Sequence, residues 1–231
     1  MIGIICAMAV EVDGLKSLMK NKQDIKYANM TFTKGSLGNS EVVAVECGVG
    51  KVNAAMCAQA MIDKFSPAAI INSGVAGALS DEVTLCDMVI GTEVLQHDMN
   101  ASALGDPVGE ITFPDESRTY FPCDENIAEK LYSICENLDD SNAFRGRIAS
   151  GDIFVSRRSK RGIINLRFDA LACEMEGGAI GHVCFRNGVP FVVFRVISDD
   201  LTNNKGMDFK EFCGVASEKS IKAISEFIRG L

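Results

Sequence analysis

Apolar runs separated by amphipathic stretches divide the chain into predicted strands and helices. Continuous apolar runs, which have no polar face, predict buried strands at 2–7, 68–72, 87–94, 144–149, 171–173 and 191–197. Stretches with a 3.6-residue apolar period or with small residues predict helices at 8–20, 52–65, 124–138, 156–168 and 177–185, and a last helix near the C-terminus. Asp124 is the predicted cap of the helix at 124–138, and Asp208 is the predicted cap of the last helix. Two further runs, 30–36 and 42–46, predict a hairpin. The pattern therefore predicts an α/β protein with a mixed sheet.

Composition narrows the class of protein. The 231 residues are 47% hydrophobic and 23% charged, and no stretch has the composition of a linker, so we expect one domain over 1–231. The 31 acidic and 23 basic residues give a net charge of −8, which argues against a nucleic-acid or anionic-membrane partner. No apolar run approaches the roughly 20 residues of a membrane span. We expect a cytoplasmic protein.

Cysteine and histidine usage argues against metal and disulfide chemistry. The nine cysteines contain no Cys-x-x-Cys pair and several lie in apolar runs, a pattern typical of buried free thiols. Only two histidines are present, His97 and His182, and both are interpreted as structural. No Walker loop is present, and no Gly-x-Gly-x-x-Gly follows the first strand. We therefore expect no metal and no cofactor.

One basic cluster departs from the acidic average. It comprises Arg157, Arg158, Lys160 and Arg161, within a predicted helix. A short run of like charges is usually a solvent-exposed helix face, and we predict that here. A feature on the substrate side is the alternative.

Acids follow several of the predicted buried strands. Glu11 comes after the first strand, Glu174 and Glu176 come after the strand at 171–173, and Asp199 follows Ser198 at the end of 191–197. Taken singly, each has a structural interpretation, since acids are favoured in the first turn of a helix. The carboxyl ends of strands in open α/β sheets are nevertheless where ligands bind. Their joint placement, together with a predicted Gly-x-x-Gly turn at 74–77, predicts a functional site.

Paired carboxylates favour a particular chemistry. One ionised base and one protonated acid suit hydrolysis through an oxocarbenium-like transition state, and a third acid could hold sugar hydroxyls. No serine lies in a Gly-x-Ser-x-Gly elbow, and two histidines are a thin supply for a catalytic triad. The polar loop 96–117 is too long for a simple connector, so we predict a functional or interface role.

These motifs together resemble a known family. Met8-x-x-Glu11, Cys47-Gly-Val-Gly-Lys51, Asn72-Ser-Gly-Val-Ala-Gly77, Ser150-Gly-Asp-x-Phe154-Val155, Glu174-Met-Glu176 and Ser198-Asp199 resemble motifs of the 5′-methylthioadenosine/S-adenosylhomocysteine nucleosidases, of the purine nucleoside phosphorylase/uridine phosphorylase superfamily. The match is collinear over essentially the whole chain. It implies a single-domain, three-layer α/β/α phosphorylase/hydrolase-like fold with a central mixed sheet, a small-molecule nucleoside substrate and a homodimer.

The resemblance also implies roles for individual residues. Glu11 matches the base that activates water, and Asp199 matches the acid that protonates purine N7. Asp199 must then be protonated near neutral pH, which burial would favour. The implied substrate-binding residues are Met8, Val49, Val75, Phe154, Val155, Met175, Glu176, Ser198 and Phe209. Among them, Glu176 matches the ribose binder and Phe154 the ring stacked on adenine.

Alternatives remain open within and outside this family. A phosphorylase needs cations for phosphate, and neither 7–15 nor 68–79 contains Arg or Lys. A non-catalytic nucleoside-binding protein would be expected to lose an acid. Ala101, Leu104 and Asp106 match positions that close the 5′ pocket from the partner subunit, but Asp106 replaces the usual tyrosine. A futalosine-type nucleosidase, with a more polar 5′ group, is therefore a second candidate.

Overall fold

The structure is a computed structural model that describes residues 1–138, 142–199 and 209–231, with side chains in the last helix described from residue 214 onward. The helices are α1 (Ala9–Leu18), α2 (Lys51–Phe65), α3 (Glu125–Glu136), α4 (Arg158–Phe168), α5 (Gly177–Asn187) and α6 (Phe209–Arg229). The strands are β1 (Ile2–Cys6), β2 (Lys20–Tyr27), β3 (Met30–Leu37), β4 (Ser40–Glu46), β5 (Ala69–Ala78), β6 (Met88–Gln96), β7 (Ile111–Thr112), β8 (Ser117–Arg118), β9 (Phe121–Pro122), β10 (Ala143–Ser150), β11 (Ala170–Glu174) and β12 (Phe191–Asp199).

Ten of these strands form one mixed sheet, in the order β11-β10-β6-β12-β5-β1-β4-β3-β2, with β9 beside β6. β1 pairs in parallel with both β4 and β5, and β12 pairs in parallel with β5, so these strands share a carboxyl edge. β6 runs antiparallel to β12 and parallel to β10. The predicted α/β fold with a central mixed sheet flanked by helices is confirmed.

The sheet curls until its two halves meet. β11 pairs antiparallel with the end of β5, through Ala172 with Ala78 and Cys173 with Gly77. Five strands, β5, β12, β6, β10 and β11, therefore close into a ring. This closure brings the carboxyl end of β11 beside the carboxyl ends of β5 and β12. Acids from strands that run in opposite directions consequently reach the same place.

One predicted helix is shorter in the structure, and the strand that follows it was not predicted. The helix predicted at 8–20 ends at Leu18, and an unpredicted strand, β2, follows. β2 is almost entirely exposed and carries Lys20, Lys22, Asp24 and Lys26, so it has no apolar face to reveal it. Its exposure agrees with its place at the open edge of the sheet, where charged side chains discourage further pairing.

The Gly-x-x-Gly stretch is strand and not turn. β5 continues from Ala69 through to Ala78, with Gly74 and Gly77 inside it. The predicted strand at 68–72 was therefore too short. Glycine suggested a turn, but in this strand it leaves space for two carboxylates, described below.

One predicted helix cap is confirmed. The Asp124 side chain accepts a hydrogen bond from the Ile127 N–H at 3.0 Å and caps α3, as predicted. The predicted cap at Asp208 lies outside the described residues. Among the helices of the described part of the chain, none is both long enough and apolar enough to cross a bilayer.

Candidate active site

Nine of the predicted site residues line one cavity of about 200 Å³, at the meeting point of the carboxyl ends of β1, β5, β11 and β12. They are Met8, Glu11, Val49, Val75, Phe154, Met175, Glu176, Ser198 and Asp199. Val155 is buried just outside the lining. The side chain of Phe209 lies outside the described residues.

Glu11 occupies the cavity wall next to β5. Its Oε2 accepts hydrogen bonds from the Ala7 N–H at 3.0 Å and the Met8 N–H at 2.9 Å, and its Oε1 accepts from the Val75 N–H at 3.1 Å. A Cβ at Gly74 would lie 2.6 Å from Oε1, so glycine is required for this close approach. Burial raises the pKa of Glu11, and the Arg195 guanidinium and these amides oppose the rise. The site thus holds a desolvated, oriented carboxyl group.

Glu176 lies at the N-terminus of α5 and lines the same cavity as Glu11. Its Oε1 accepts a hydrogen bond from the Gly50 N–H at 2.8 Å, which ties the loop before α2 to the start of α5. Burial, reinforced by the neighbouring charge of Glu174, raises the pKa of Glu176 to about 7. The group is therefore poised to change protonation near neutral pH.

Replacing this acid tests the cost of its burial. Glu176→Gln is expected to stabilise the ligand-free protein more at neutral pH than in acid. The pKa of Glu176 rises from 4.5 to about 7 on folding, so the folded state holds its proton more tightly and stability is lost as the pH rises through that interval. Glutamine does not ionise, so the Glu176→Gln protein does not lose this stability as the pH rises. The gain in free energy of unfolding should be small below about pH 4.5 and reach about 3 kcal/mol above about pH 7.

Urea unfolding at several pH values between these limits measures the effect. Glu46→Gln, which changes an exposed acid outside the cavity, is the matched control. A gain for Glu176→Gln that is the same at every pH contradicts the prediction.

Glu174 has a structural role that sequence reasoning missed. Its Oε2 accepts from the Gly177 N–H at 2.7 Å and the Glu176 N–H at 3.0 Å, at the start of α5, and it pairs with Arg195. Its Oε1 accepts from Ser150. Glu174 lines the cavity but is fully engaged by these partners, so it orients the segment that carries Glu176.

Arg195 was hidden in the apolar run 191–197 and is only 2% exposed. It donates to Asn72 Oδ1 at 2.5 Å and to the Asn72 carbonyl at 3.1 Å, besides its pair with Glu174. A buried arginine requires an acidic partner, so an arginine in a buried strand was the signal that could have identified this pair.

Asp199 lies at the end of β12 and its side chain is 31% exposed, at the cavity. Arg161 of α4 forms an ion pair with its Oδ2. A Cβ at Gly77 would lie 2.9 Å from its Oδ1. The prediction for the basic cluster was therefore wrong for Arg161, which is 4% exposed, although Arg157, Arg158 and Lys160 are exposed as predicted.

The remaining cavity wall is apolar. Met8, Val49, Phe154 and Met175 contribute it. Val49 and Phe154 remain about half exposed, so this wall forms the mouth of the cavity in the described chain. A thioether or an aromatic base would find polarisable neighbours here.

Three predicted partner-subunit residues lie apart from this cavity. None of Ala101, Leu104 and Asp106 belongs to the lining formed by the described residues of the same chain. They occupy a loop that contains a 3₁₀ turn, Ser102–Leu104, in which Leu104 is 85% exposed.

Neither histidine is among the described residues that line the cavity. His182 stacks on Phe121, with ring centroids 5.1 Å apart, and meets Phe113 edge-on, which fits its interpretation as a packed residue. His97 lies against Gly151. Within the described ranges, no group of three or more His, Cys, Asp or Glu residues is arranged to hold a metal ion.

Comparison with known proteins places the chain in a family. The model of the phosphorylase superfamily matches residues 1–229. A 5′-methylthioadenosine/S-adenosylhomocysteine nucleosidase from Staphylococcus haemolyticus is 37% identical over 232 residues, covering 100% of both chains.

Solved structures agree with this relationship. The Neisseria meningitidis 5′-methylthioadenosine/S-adenosylhomocysteine nucleosidase in complex with methylthio-immucillin-A is 30% identical, with a TM-score of 0.91 and coverage of 100% of this chain and 99% of that one. A Helicobacter pylori relative, an aspartate-to-asparagine variant with 5′-methylthioadenosine in its active site, is also 30% identical, with a TM-score of 0.91 and coverage of 100% and 98%. The chain belongs to the phosphorylase superfamily and, within it, to the 5′-methylthioadenosine/S-adenosylhomocysteine nucleosidases.

Proposed function

We propose that this protein hydrolyses the N-glycosidic bond of 5′-methylthioadenosine and S-adenosylhomocysteine, releasing adenine and the thioribose product. The observation that carries the proposal is the arrangement of Glu11, Glu176 and Asp199 around one cavity with an apolar mouth. Relatives similar over the full length carry this activity in their names. The reaction belongs to methionine salvage and methyl-cycle recycling, and it requires no cofactor.

Glu11 is proposed as the base. Three backbone N–H groups orient its carboxylate, and burial keeps it out of bulk water, where it would be a weaker base. A water molecule between Glu11 and the sugar would lose its proton to this carboxylate as it attacks the anomeric carbon. Glu176, which lines the same cavity, is suited to accept hydrogen bonds from the ribose hydroxyls and so to fix the sugar.

Asp199 is proposed as the acid. Adenine is a poor leaving group as an anion, so a proton delivered to purine N7 as the bond breaks lowers the barrier. Asp199 and Ser198 line the same cavity as Phe154, whose ring is suited to base stacking. The substrate would thus lie with its purine near Asp199, its ribose between Glu11 and Glu176, and its 5′ group toward the apolar mouth.

The same site disfavours phosphate as the nucleophile. The residues that line the cavity in the described chain include four acids and no Lys or Arg. The two buried arginines nearby are paired, Arg195 with Glu174 and Arg161 with Asp199. A phosphate ion placed beside Glu11 would be repelled, and water is the better nucleophile.

Adenine release from 5′-methylthioadenosine, S-adenosylhomocysteine, adenosine and inosine, each with and without phosphate, tests the proposal. Fast release from the two thioethers without phosphate is expected. Release only with phosphate would make the protein a phosphorylase. Failure to act on the thioethers, with turnover of a nucleoside that has a polar 5′ substituent, would favour the futalosine-type alternative. Binding without turnover would indicate a non-catalytic nucleoside-binding protein.

We also propose that the protein is a homodimer whose interface includes an exposed apolar patch beside the cavity mouth. The patch consists of Val49, Val52, Met56, Leu104 and Ile153, each at least 46% exposed. The Lys51 Nζ–Asp98 Oδ1 ion pair of 2.7 Å and the Asp152 N–H donating to Asp98 Oδ2 at 2.8 Å hold the three segments together. A large exposed apolar patch is typical of an interaction surface.

Substitution within the patch tests this proposal. Leu104→Asp is expected to yield monomers in sedimentation velocity and to raise KM, because a buried carboxylate opposes association and the loop 101–106 would no longer close the neighbouring pocket. Leu166→Asp is the matched control, since Leu166 is 88% exposed on α4, outside the patch. A wild-type protein that sediments as a fully active monomer contradicts the dimer.

We propose a cytoplasmic location as well. The eight cysteines that the structure describes are all free, and seven of them are buried, as expected in a reducing compartment.

A further inference from the structure

Arg161 is a buried cation that the reaction described so far does not use. It projects from α4 into the protein and is 4% exposed. Its Nε donates to the Val155 carbonyl at 2.8 Å, and its Nη1 lies 3.4 Å from the carbonyl oxygens of Ala78 and Asp199. Its Nη2 binds Asp199 Oδ2. One guanidinium therefore joins the end of β5, the segment before α4 and the end of β12.

The position of Arg161 relative to the cavity separates it from the substrate. It is not among the residues that line the cavity, whereas its partner Asp199 is. Gly77 completes the arrangement, because a Cβ there would lie 2.9 Å from Asp199 Oδ1 and 3.2 Å from Arg161 Nη2. Asp199 is thus held between a guanidinium on one oxygen and a bare stretch of backbone at the other.

We propose that Arg161 is a positioning residue that fixes the Asp199 carboxyl group and strengthens it as the proton donor to the purine. The inference rests on the proposed role of Asp199 as the acid. A guanidinium bound to one carboxyl oxygen stabilises the carboxylate that remains after the proton has left. That stabilisation grows as the proton moves to the leaving base, so it favours the transition state over the bound substrate.

The other charged groups near Asp199 do not supply this effect. From β11, the Cys173 thiol and Glu174 face the same region; burial raises the pKa of the Cys173 thiol to about 12, so that thiol stays neutral. Glu174 is occupied by Arg195. Among the described residues around the cavity, Arg161 is therefore the cation assigned to Asp199, as Arg195 is the cation assigned to Glu174.

The pH dependence of kcat/KM for 5′-methylthioadenosine separates this role from a purely structural one. Arg161→Gln keeps a hydrogen-bond donor near the position of Nε, for the Val155 carbonyl, and removes the charge. Without the charge, no cation next to Asp199 stabilises the carboxylate that remains after the proton has been donated. We expect the alkaline edge of the profile to move upward and kcat at neutral pH to fall by about 10²-fold, with a smaller change in KM.

Arg161→Lys is the matched control because it retains a cation. Its alkaline edge should stay near that of the wild type, even where kcat falls because the forked contacts are lost. Equal loss of activity in both variants, with no movement of the alkaline edge, would overturn the proposal in favour of a structural role. Should Arg161→Gln fail to fold, Arg161→Met, which occupies similar volume without charge, repeats the measurement.

The outcomes also separate this inference from the proposed function. If the wild-type protein releases no adenine without phosphate, the proposed function fails before Arg161 is tested. If the wild type hydrolyses the thioether and Asp199→Asn does not, but Arg161→Gln keeps the wild-type rate and profile, only the inference about Arg161 fails.

Discussion

Asp199→Asn is expected to abolish hydrolysis while leaving the fold and nucleoside binding intact. The amide keeps the size of the side chain and can still accept a hydrogen bond from Arg161, but it has no acidic proton for purine N7. Since general acid catalysis typically contributes about 10²–10⁴-fold, we expect kcat for 5′-methylthioadenosine to fall by that factor. Single-turnover adenine release measures the rate, and calorimetry measures binding of the uncleaved substrate.

Asp81→Asn is a suitable control for this experiment. Asp81 forms an ion pair with Arg158, with 3.5 Å between Oδ1 and Nη2, and both side chains are about 70% exposed. Exposed pairs of this kind contribute little to stability, so activity should be unchanged. Near-normal turnover by Asp199→Asn would contradict the assignment of Asp199 as the general acid. Another proton donor at the cavity would then be required.

Glu11→Gln is expected to reduce kcat by a similar factor, about 10²–10⁴-fold, because the amide cannot take a proton from the attacking water. The substitution also places an NH₂ group or a neutral oxygen against three backbone N–H donors. The Glu11 carboxyl group lies close to Gly74, so the amide cannot move toward β5 to relieve this mismatch. We therefore expect a modest loss of stability in addition to the loss of rate.

The two effects are distinguished with a helix control. Asp13→Asn changes an exposed acid two residues further along α1 and should affect neither rate nor stability. A thermal unfolding curve of Glu11→Gln shows whether the variant is still folded at the temperature of the rate assay. A folded Glu11→Gln protein with wild-type kcat would contradict the assignment of Glu11 as the base.

The pattern of apolar residues predicted most of the secondary-structure elements, because buried strands and helices each have a recognisable apolar pattern in the sequence. β1, β6, β10 and β12 begin and end close to the predicted positions. β2 could not be predicted in this way, because both of its faces are exposed and it is held by backbone pairing with β3. β5 was cut short because glycine inside a strand has the same local signature as a turn.

The acids of the site were predictable for a different reason. Glu11, Glu174 and Asp199 each follow a predicted buried strand. Ligands bind at the carboxyl ends of strands in open α/β sheets. Their partners were not predictable from local pattern. Arg161 lies 38 residues from Asp199 in a stretch that reads as a solvated helix face, and only the curl of the sheet brings the two together. Long-range charge pairing has no signature in a single stretch of sequence.

The glycines at 74 and 77 also limit how substrate choice could diversify on this scaffold. They leave part of the cavity's floor as bare backbone pressed against Glu11 and Asp199. Any larger residue there would displace an acid, so that floor offers no place to introduce a new contact with the substrate. Selectivity for a different nucleoside would have to arise at the mouth, through Met8, Val49 and Phe154, or through the loop 101–106 of a second subunit. The floor of the cavity therefore constrains the residues next to the reacting bond, and changes in substrate selectivity are confined to the residues at the mouth.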